Sequence, residues 1–300
     1  MSPATAAGPE FPPRVSLGGM TELSDALSSV LSSVDDWPVD TACAAVRDAD
    51  GEWVVHGDLS RVYGLASVTK LLSAHAMLVA VEEGIVDLDD ELSPPGATVR
   101  HLLSHAGGVG FASPKPEKEP GERRIYSSAG FDIIADHIHD ESGMQFSNYL
   151  REATFEPLGM DSSALHGSSG HGGEGSVDDL MRFADEIIEP RVLHPQTVAE
   201  ALTVQFPGLD GVVPGYGPQK PADWGLGFQI YSHPKSRRGL WFGESMPDDV
   251  AGHFGQAGTF LWVHAPTGRA CVVLTDRPFG DWAKPLWAEF NDELWRTLEG

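Results

Sequence analysis

Apolar positions recur along this chain at two different periods, and the switches between them divide it. Residues 21–33, TELSDALSSVLSS, set Leu23, Leu27, Val30 and Leu31 on one face, which predicts an amphipathic helix. TACAAVRD, the Asp-Gly turn of DADG, and EWVVHG follow as a predicted hairpin. Residues 68–83 are apolar nearly all round. A helix with no face for water belongs at the centre of a fold, and Gly84 is placed to stop it. From about 85 to 215 the pattern is helical in pieces between Gly- and Pro-rich loops. The pieces are VRHLLSHAGG, residues 128–142 with Gly143 behind them, SNYLREATFEPLGM, and SVDDLMRFADEII at 176–188. Ser147 is the expected N-cap of the third piece, with a stop near Pro157. Strand patterns return in WGLGFQIYS (224–232) and in GTFLWVHA, the turn PTG, and RACVVLTD. The chain closes on Trp282, Leu286, Phe290 and Leu294 at helical spacing, which reads as core.

Strands segregated from a run of helices predict an α+β fold. The early and late strands are expected to share one antiparallel sheet, flanked by the helices at 21–33 and 281–299, with a mostly helical inserted subdomain between them. The expected division is a flexible lead at 1–20 and one domain at 21–300. Its sheet part is about 21–70 and 215–300, and its helical part about 71–214. A cleft between the two parts is the default place for a site.

Charge then narrows the partners. The net charge of −24 repels nucleic-acid backbones and anionic membranes, so neither is expected as a partner. The acidic clusters VDLDDE, SVDDL and MPDDV read as solvated faces and turns. Cys43 and Cys271 lie in apolar strand patterns and read as buried free thiols that could face each other in one sheet. The first residues lack a basic stretch followed by an apolar one, and no apolar run spans a bilayer, which points to a cytoplasmic protein. No signature of a cofactor is present. GSSGHGGEGS (167–176) lacks the Gly-Lys-Ser/Thr ending of a phosphate loop and reads as a mobile loop near the cleft. His101 and His105 are four apart, but HLLSH lacks the glutamate of a metalloprotease helix, so no metal is expected.

One pair carries candidate chemistry. Ser67 and Lys70 stand three apart where the apolar helix begins, and residues at i and i+3 share a face. A serine hydroxyl needs a base, and burial plus the helix N-terminus push an ammonium towards the neutral amine that can be one. By spacing alone a second reading stays open, a serine N-cap with a lysine reaching solvent. No Gly-x-Ser-x-Gly elbow surrounds Ser67, which leaves the α/β-hydrolase fold without support.

Further segments add to ASVTK (66–70) in order: TVRHLLSHAGGV (98–109), ERRIYSSAG (122–130), FEPLGM (155–160), WGLGF (224–228) and GHFGQAGT (252–259). With these, residues 40–275 resemble the serine β-lactamase-like superfamily of penicillin-binding proteins, DD-peptidases, class C β-lactamases and their esterase relatives. The resemblance implies Ser67 as acylated nucleophile, Lys70 as base or proton relay, and Tyr126 as partner in that task. It implies an oxyanion hole from the backbone N–H groups of Ser67 and Gln256, and substrate contacts at Ser128, His253 and Gly255. It leaves open whether Lys70 or Tyr126 starts the chemistry.

The chain departs from that pattern twice. Ser128 stands where the second motif commonly has Asn, which shortens the grip on a substrate amide. His253 stands where lysine would supply a permanent cation for a substrate carboxylate. Both departures, with the absent export signal, lean away from cell-wall work and towards a cytosolic esterase or amidase, of which an esterase on small carboxylic esters is the leading reading. An amidase, D-aminopeptidase or DD-peptidase-like enzyme with weak β-lactam hydrolysis is the second reading, and a non-catalytic binding protein of the same fold the third. The loops at 111–125 and 207–223 are expected to set the size of the pocket.

Overall fold

The computed structural model describes residues 22–231 and 240–300, so the lead at 1–20 lies outside the described residues. The expected first hairpin forms as β1 (Ala42–Arg47) and β2 (Trp53–His56). Late in the chain come β3 (Gln229–Ile230), β4 (Ala251–Gly255), β5 (Thr259–His264) and β6 (Arg269–Thr275). They join into one antiparallel sheet of order β2-β1-β6-β5-β4-β3. The early and late segments meet where β1 pairs with β6, Cys43 opposite Leu274 and Val46 opposite Cys271.

Alternation along each strand sends side chains to two different layers. Ala44, Val46, Phe260, Trp262, Cys271 and Val273 face an outer layer made by α1 (Glu22–Ser32) and the C-terminal helix α6 (Ala283–Glu299). Cys43, Ala45, Leu261, Val263, Val272 and Leu274 face the helical part. There the central helix α2 (Thr69–Glu82) is buried from Thr69 to Ala80, as its all-round apolar pattern predicts. Around it pack α3 (Val99–Leu103), α4 (Ala129–Ser142) and α5 (Val177–Ile188). The two cysteines are free and buried, and they point to opposite faces of the sheet, so they do not face each other.

Two boundaries differ from the sequence pattern. The segment expected as a strand at 224–232 pairs in the sheet only at Gln229–Ile230, and its Ser232 is outside the described residues. Gly227 takes φ +89 and folds Trp224–Gln229 into a turn closed by Gly225 N donating to Phe228 O at 2.8 Å. The helix expected to start at Ser147 starts at Phe146, whose ring is buried, with Gln145 as the capping residue. It does not stop at Pro157. A π-helical stretch, Arg151–Phe155, leads into Glu156–Leu158, which absorbs a residue lacking N–H, and Gly159 at φ +67 ends it.

Candidate active site

Ser67 lies in a 3-10 turn, Ala66–Val68, that feeds directly into α2. It is not an N-cap of that helix, whose cap is Val68 with no side-chain bond. The turn is clamped through Leu65. Its N–H donates to Gly173 O at 2.9 Å, and its carbonyl accepts from Thr259 Oγ1 at 3.0 Å. Between these holds Ala66 sits at φ +45, a left-handed conformation that a residue with a Cβ adopts only when its surroundings impose it. Gly255 at the end of β4 lies flat against the same turn. A Cβ there would stand 2.2 Å from Leu65 O and 3.3 Å from Ala66 Cβ.

Lys70 is fully buried, so the reading of a lysine reaching solvent is excluded. Its Nζ is 3.5 Å from Ser67 Oγ, 3.0 Å from Ser128 Oγ and 2.7 Å from Gly170 O. Burial lowers its pKa from 10.5 to about 7, against a smaller opposing pull from the Asp132 carboxylate. A neutral amine has two N–H donors and one lone pair. Gly170 O and Ser128 Oγ can accept the two N–H groups, which turns the lone pair to Ser67.

Tyr126 covers the other side. Its ring lies 4.7 Å from Lys70 Nζ, and its hydroxyl hydrogen-bonds His253 Nε2 at 3.2 Å. His253 Nδ1 is 2.6 Å from Phe254 O, an atom that can only accept, so Nδ1 carries the proton. Burial, with the nearby Lys70 charge, lowers the His253 pKa to about 3. The ring is therefore neutral, and Nε2 accepts the Tyr126 O–H. Burial also raises the phenol pKa above its ordinary value, so Tyr126 is protonated near pH 7. Arg124 holds this loop from below, donating to the carbonyls of Ala222, Ser104, Gln205 and Phe206.

The glycine-rich segment expected as a mobile loop is a fixed wall of the site. Gly173 N donates to Thr69 Oγ1 at 2.9 Å, and Ser73 Oγ donates to Ser169 O at 2.6 Å. Asp132 accepts from Ser168 Oγ, Ser169 N and Ser169 Oγ, all at 2.9 Å. These bonds aim Gly170 O at Lys70. A Cβ on Gly170 would stand 2.7 Å from Ser128 Cβ, so this packing needs a residue without one.

Ser67, Lys70, Tyr126, Ser128 and His253 thus converge from three separate stretches of chain. Gly255 and Gln256 lie at the end of β4 beside the Ser67 turn, and the Gln256 amide is turned away to Phe279 O at 3.0 Å. His101 and His105 have structural roles. His101 completes a capping box with Thr98, while His105 accepts from Ser127 N at 3.2 Å and packs on Tyr126 and Trp224. Gly170 O and Asp132 escaped sequence reasoning. The first is a backbone atom with no residue signature. The second sits four residues after Ser128 on a helical face, a spacing that could have flagged it. A cavity of about 380 Å³ opens beside Tyr126, lined by residues from the loops at 111–125 and 207–223.

A serine beside a buried amine of lowered pKa and a tyrosine, on the seam between an antiparallel sheet and a helical layer, is the constellation of a serine hydrolase. The chain belongs to the Beta-lactamase family, whose model matches residues 40–293. It resembles the crystal structure of a β-lactamase from Mycobacterium bovis, at 47% identity over 90% of this chain and 99% of that one, with a TM-score of 0.86. It is also similar to penicillin-binding protein 4* of Bacillus subtilis, 25% identical over 35% of this chain and 31% of the relative. The D-alanyl-D-alanine-carboxypeptidase/endopeptidase AmpH of Escherichia coli is 27% identical over 35% of this chain and 37% of the relative. These matches span about a third of each curated relative's length. Among the described residues no helix is long and apolar enough to cross a membrane.

Proposed function

We propose that this protein is a serine hydrolase that forms an acyl-enzyme at Ser67 and acts on small carboxylic esters. The observation that carries the reading is Lys70, fully buried, with its pKa lowered to about 7 and its Nζ 3.5 Å from Ser67 Oγ. Lys70 takes the Ser67 proton as Oγ attacks the carbonyl carbon. The backbone N–H groups of Ser67 and Gln256 stabilise the oxyanion. Tyr126, protonated and held by His253, delivers its proton to the leaving oxygen as the carbon–oxygen bond breaks, and is reprotonated from Lys70. Water then attacks the acyl-enzyme, and Ser67 leaves with a proton returned through the same groups. Of the two candidates for the base, the lowered amine and the raised phenol favour Lys70.

Two observations support esters over amides. Ser128 uses its hydroxyl to accept from Lys70, so no side-chain amide grips the substrate. His253 is neutral and engaged by Tyr126, so it supplies no fixed cation. The likeness to the Mycobacterium bovis β-lactamase at 47% identity favours a second reading, β-lactam hydrolysis.

The test is active-site labelling with a fluorophosphonate, located by mass spectrometry, with Ser67→Ala as control. Label on Ser67 that is lost in the variant is the expected result, and no label on the folded protein would sink both enzyme readings. Rates for p-nitrophenyl esters against a chromogenic cephalosporin then separate the two, and faster turnover of the cephalosporin would reverse the preference.

A further inference from the structure

Cations outnumber carboxylates on the lining of the cavity beside Tyr126. Lys118, Arg123 and Arg124 line it against one carboxylate, Glu117, in a chain of net charge −24. Two of the three cations are committed. Lys118 pairs with Glu122 at 2.6 Å, and Arg124 is spent on backbone carbonyls. Arg123 is not. Its Nε is buried with no hydrogen-bond partner, and among the described residues no hydrogen bond or salt bridge engages its guanidinium. Glu122 is near enough for its pKa to be lowered by Arg123, but its carboxylate is held by Lys118. Arg123 is half-buried, and the end of its guanidinium carries N–H donors that a bound anion can accept from.

The apolar part of the cavity is equally specific. Phe111 is 56% exposed, an uncommon state for so large an apolar side chain, and its ring stacks on Tyr126 with centroids 5.9 Å apart. Val212, 47% exposed, lies on the same cavity. A flat group laid against Phe111 and Val212 would have Arg123 and Tyr126 on the walls of the same cavity.

We propose that Arg123 is a specificity-determining residue that binds an anionic group, a carboxylate or a phosphate, on a substrate whose adjoining part is flat and apolar. The site rests on the reading of Ser67 as nucleophile only for its place in catalysis. The cation that His253 does not provide at the end of β4 is supplied here, from the loop before Tyr126. The anion can stand on the acyl part or on the leaving group, and the chemistry that recognises it is the same.

Two substrate pairs test this. On the acyl side, p-nitrophenyl butyrate is compared with the p-nitrophenyl monoester of succinate. On the leaving side, p-nitrophenyl acetate is compared with its ring-carboxylated analogue. The ratio of kcat/KM, anionic over neutral, is measured for the native protein, Arg123→Gln and Arg123→Lys. In one pair the ratio falls about tenfold in Arg123→Gln, equivalent to about 1.4 kcal/mol, and is largely kept in Arg123→Lys. In the native protein the same ratio falls as salt is raised, a readout that survives if a variant does not fold. Ratios that ignore both Arg123 and salt in both pairs overturn the proposal. Calorimetric binding of o-nitrobenzoate against o-nitrobenzamide gives an answer without turnover, with preference for the anion expected and indifference overturning it. Absence of fluorophosphonate label at Ser67 bears on the hydrolase reading alone.

Discussion

Lys70 shows how far one side chain's chemistry is set by its surroundings. Desolvation draws its pKa to about 7, and the Asp132 charge opposes that shift. Activity that needs the neutral amine rises with pH through that value, so kcat/KM for an ester should show an acid limb near pH 7. Asp132→Asn removes the anion that favours the ammonium. The limb should move to lower pH in this variant, read from the kcat/KM profile, while an unmoved limb would exclude Lys70 as the titrating base. Spacing identified the Ser67 and Lys70 pair and motif order added Tyr126. Nothing in the chain's text could show that Lys70 has three oxygen neighbours, because one of them is a carbonyl brought from Gly170, a hundred residues away.

The elements around the site act through backbone approach. β4 meets the Ser67 turn so closely that a methyl at residue 255 would strike Leu65 O. Gly255→Ala should therefore lower the stability by about 2 kcal/mol in urea unfolding and also cut the labelling rate at Ser67. A variant with native stability and labelling would show that the turn has room to yield. Helix and strand placement was legible wherever the period was long and unbroken, as in α2, α5 and the hairpin of β5 and β6. It failed where one residue reset the backbone. Gly227 turned an expected strand into a bend, and Phe146, by burying its ring, moved the N-cap from Ser147 to Gln145.

For the molecule as a whole, the net charge acts on every element at once. A net charge of −24 repels itself in the compact state, and that repulsion is screened by salt. The thermal midpoint should rise between about 0.01 M and about 0.15 M ionic strength, measured by scanning calorimetry. A fall would mean that its ion pairs, such as Arg47 with Asp185 at 2.9 Å between β1 and α5, outweigh the repulsion.

Read as text, the chain specifies its α+β class, the joining of its two ends in one sheet, and Ser67 with Lys70 as a candidate pair. Those properties are local: they follow from periodicity, turn residues and short spacings along the backbone. The neutral state of His253, the fixed glycine wall and the uncommitted Arg123 depend on atoms that meet only across the folded molecule. Burial and hydrogen-bond partners set protonation and free valence, and both arise only when distant segments pack. The stretch around Ser67 could therefore offer a candidate nucleophile, while the surroundings of the proposed base and the proposed anion-binding side needed residues 111–132, 167–175 and 253–256 to be folded against it.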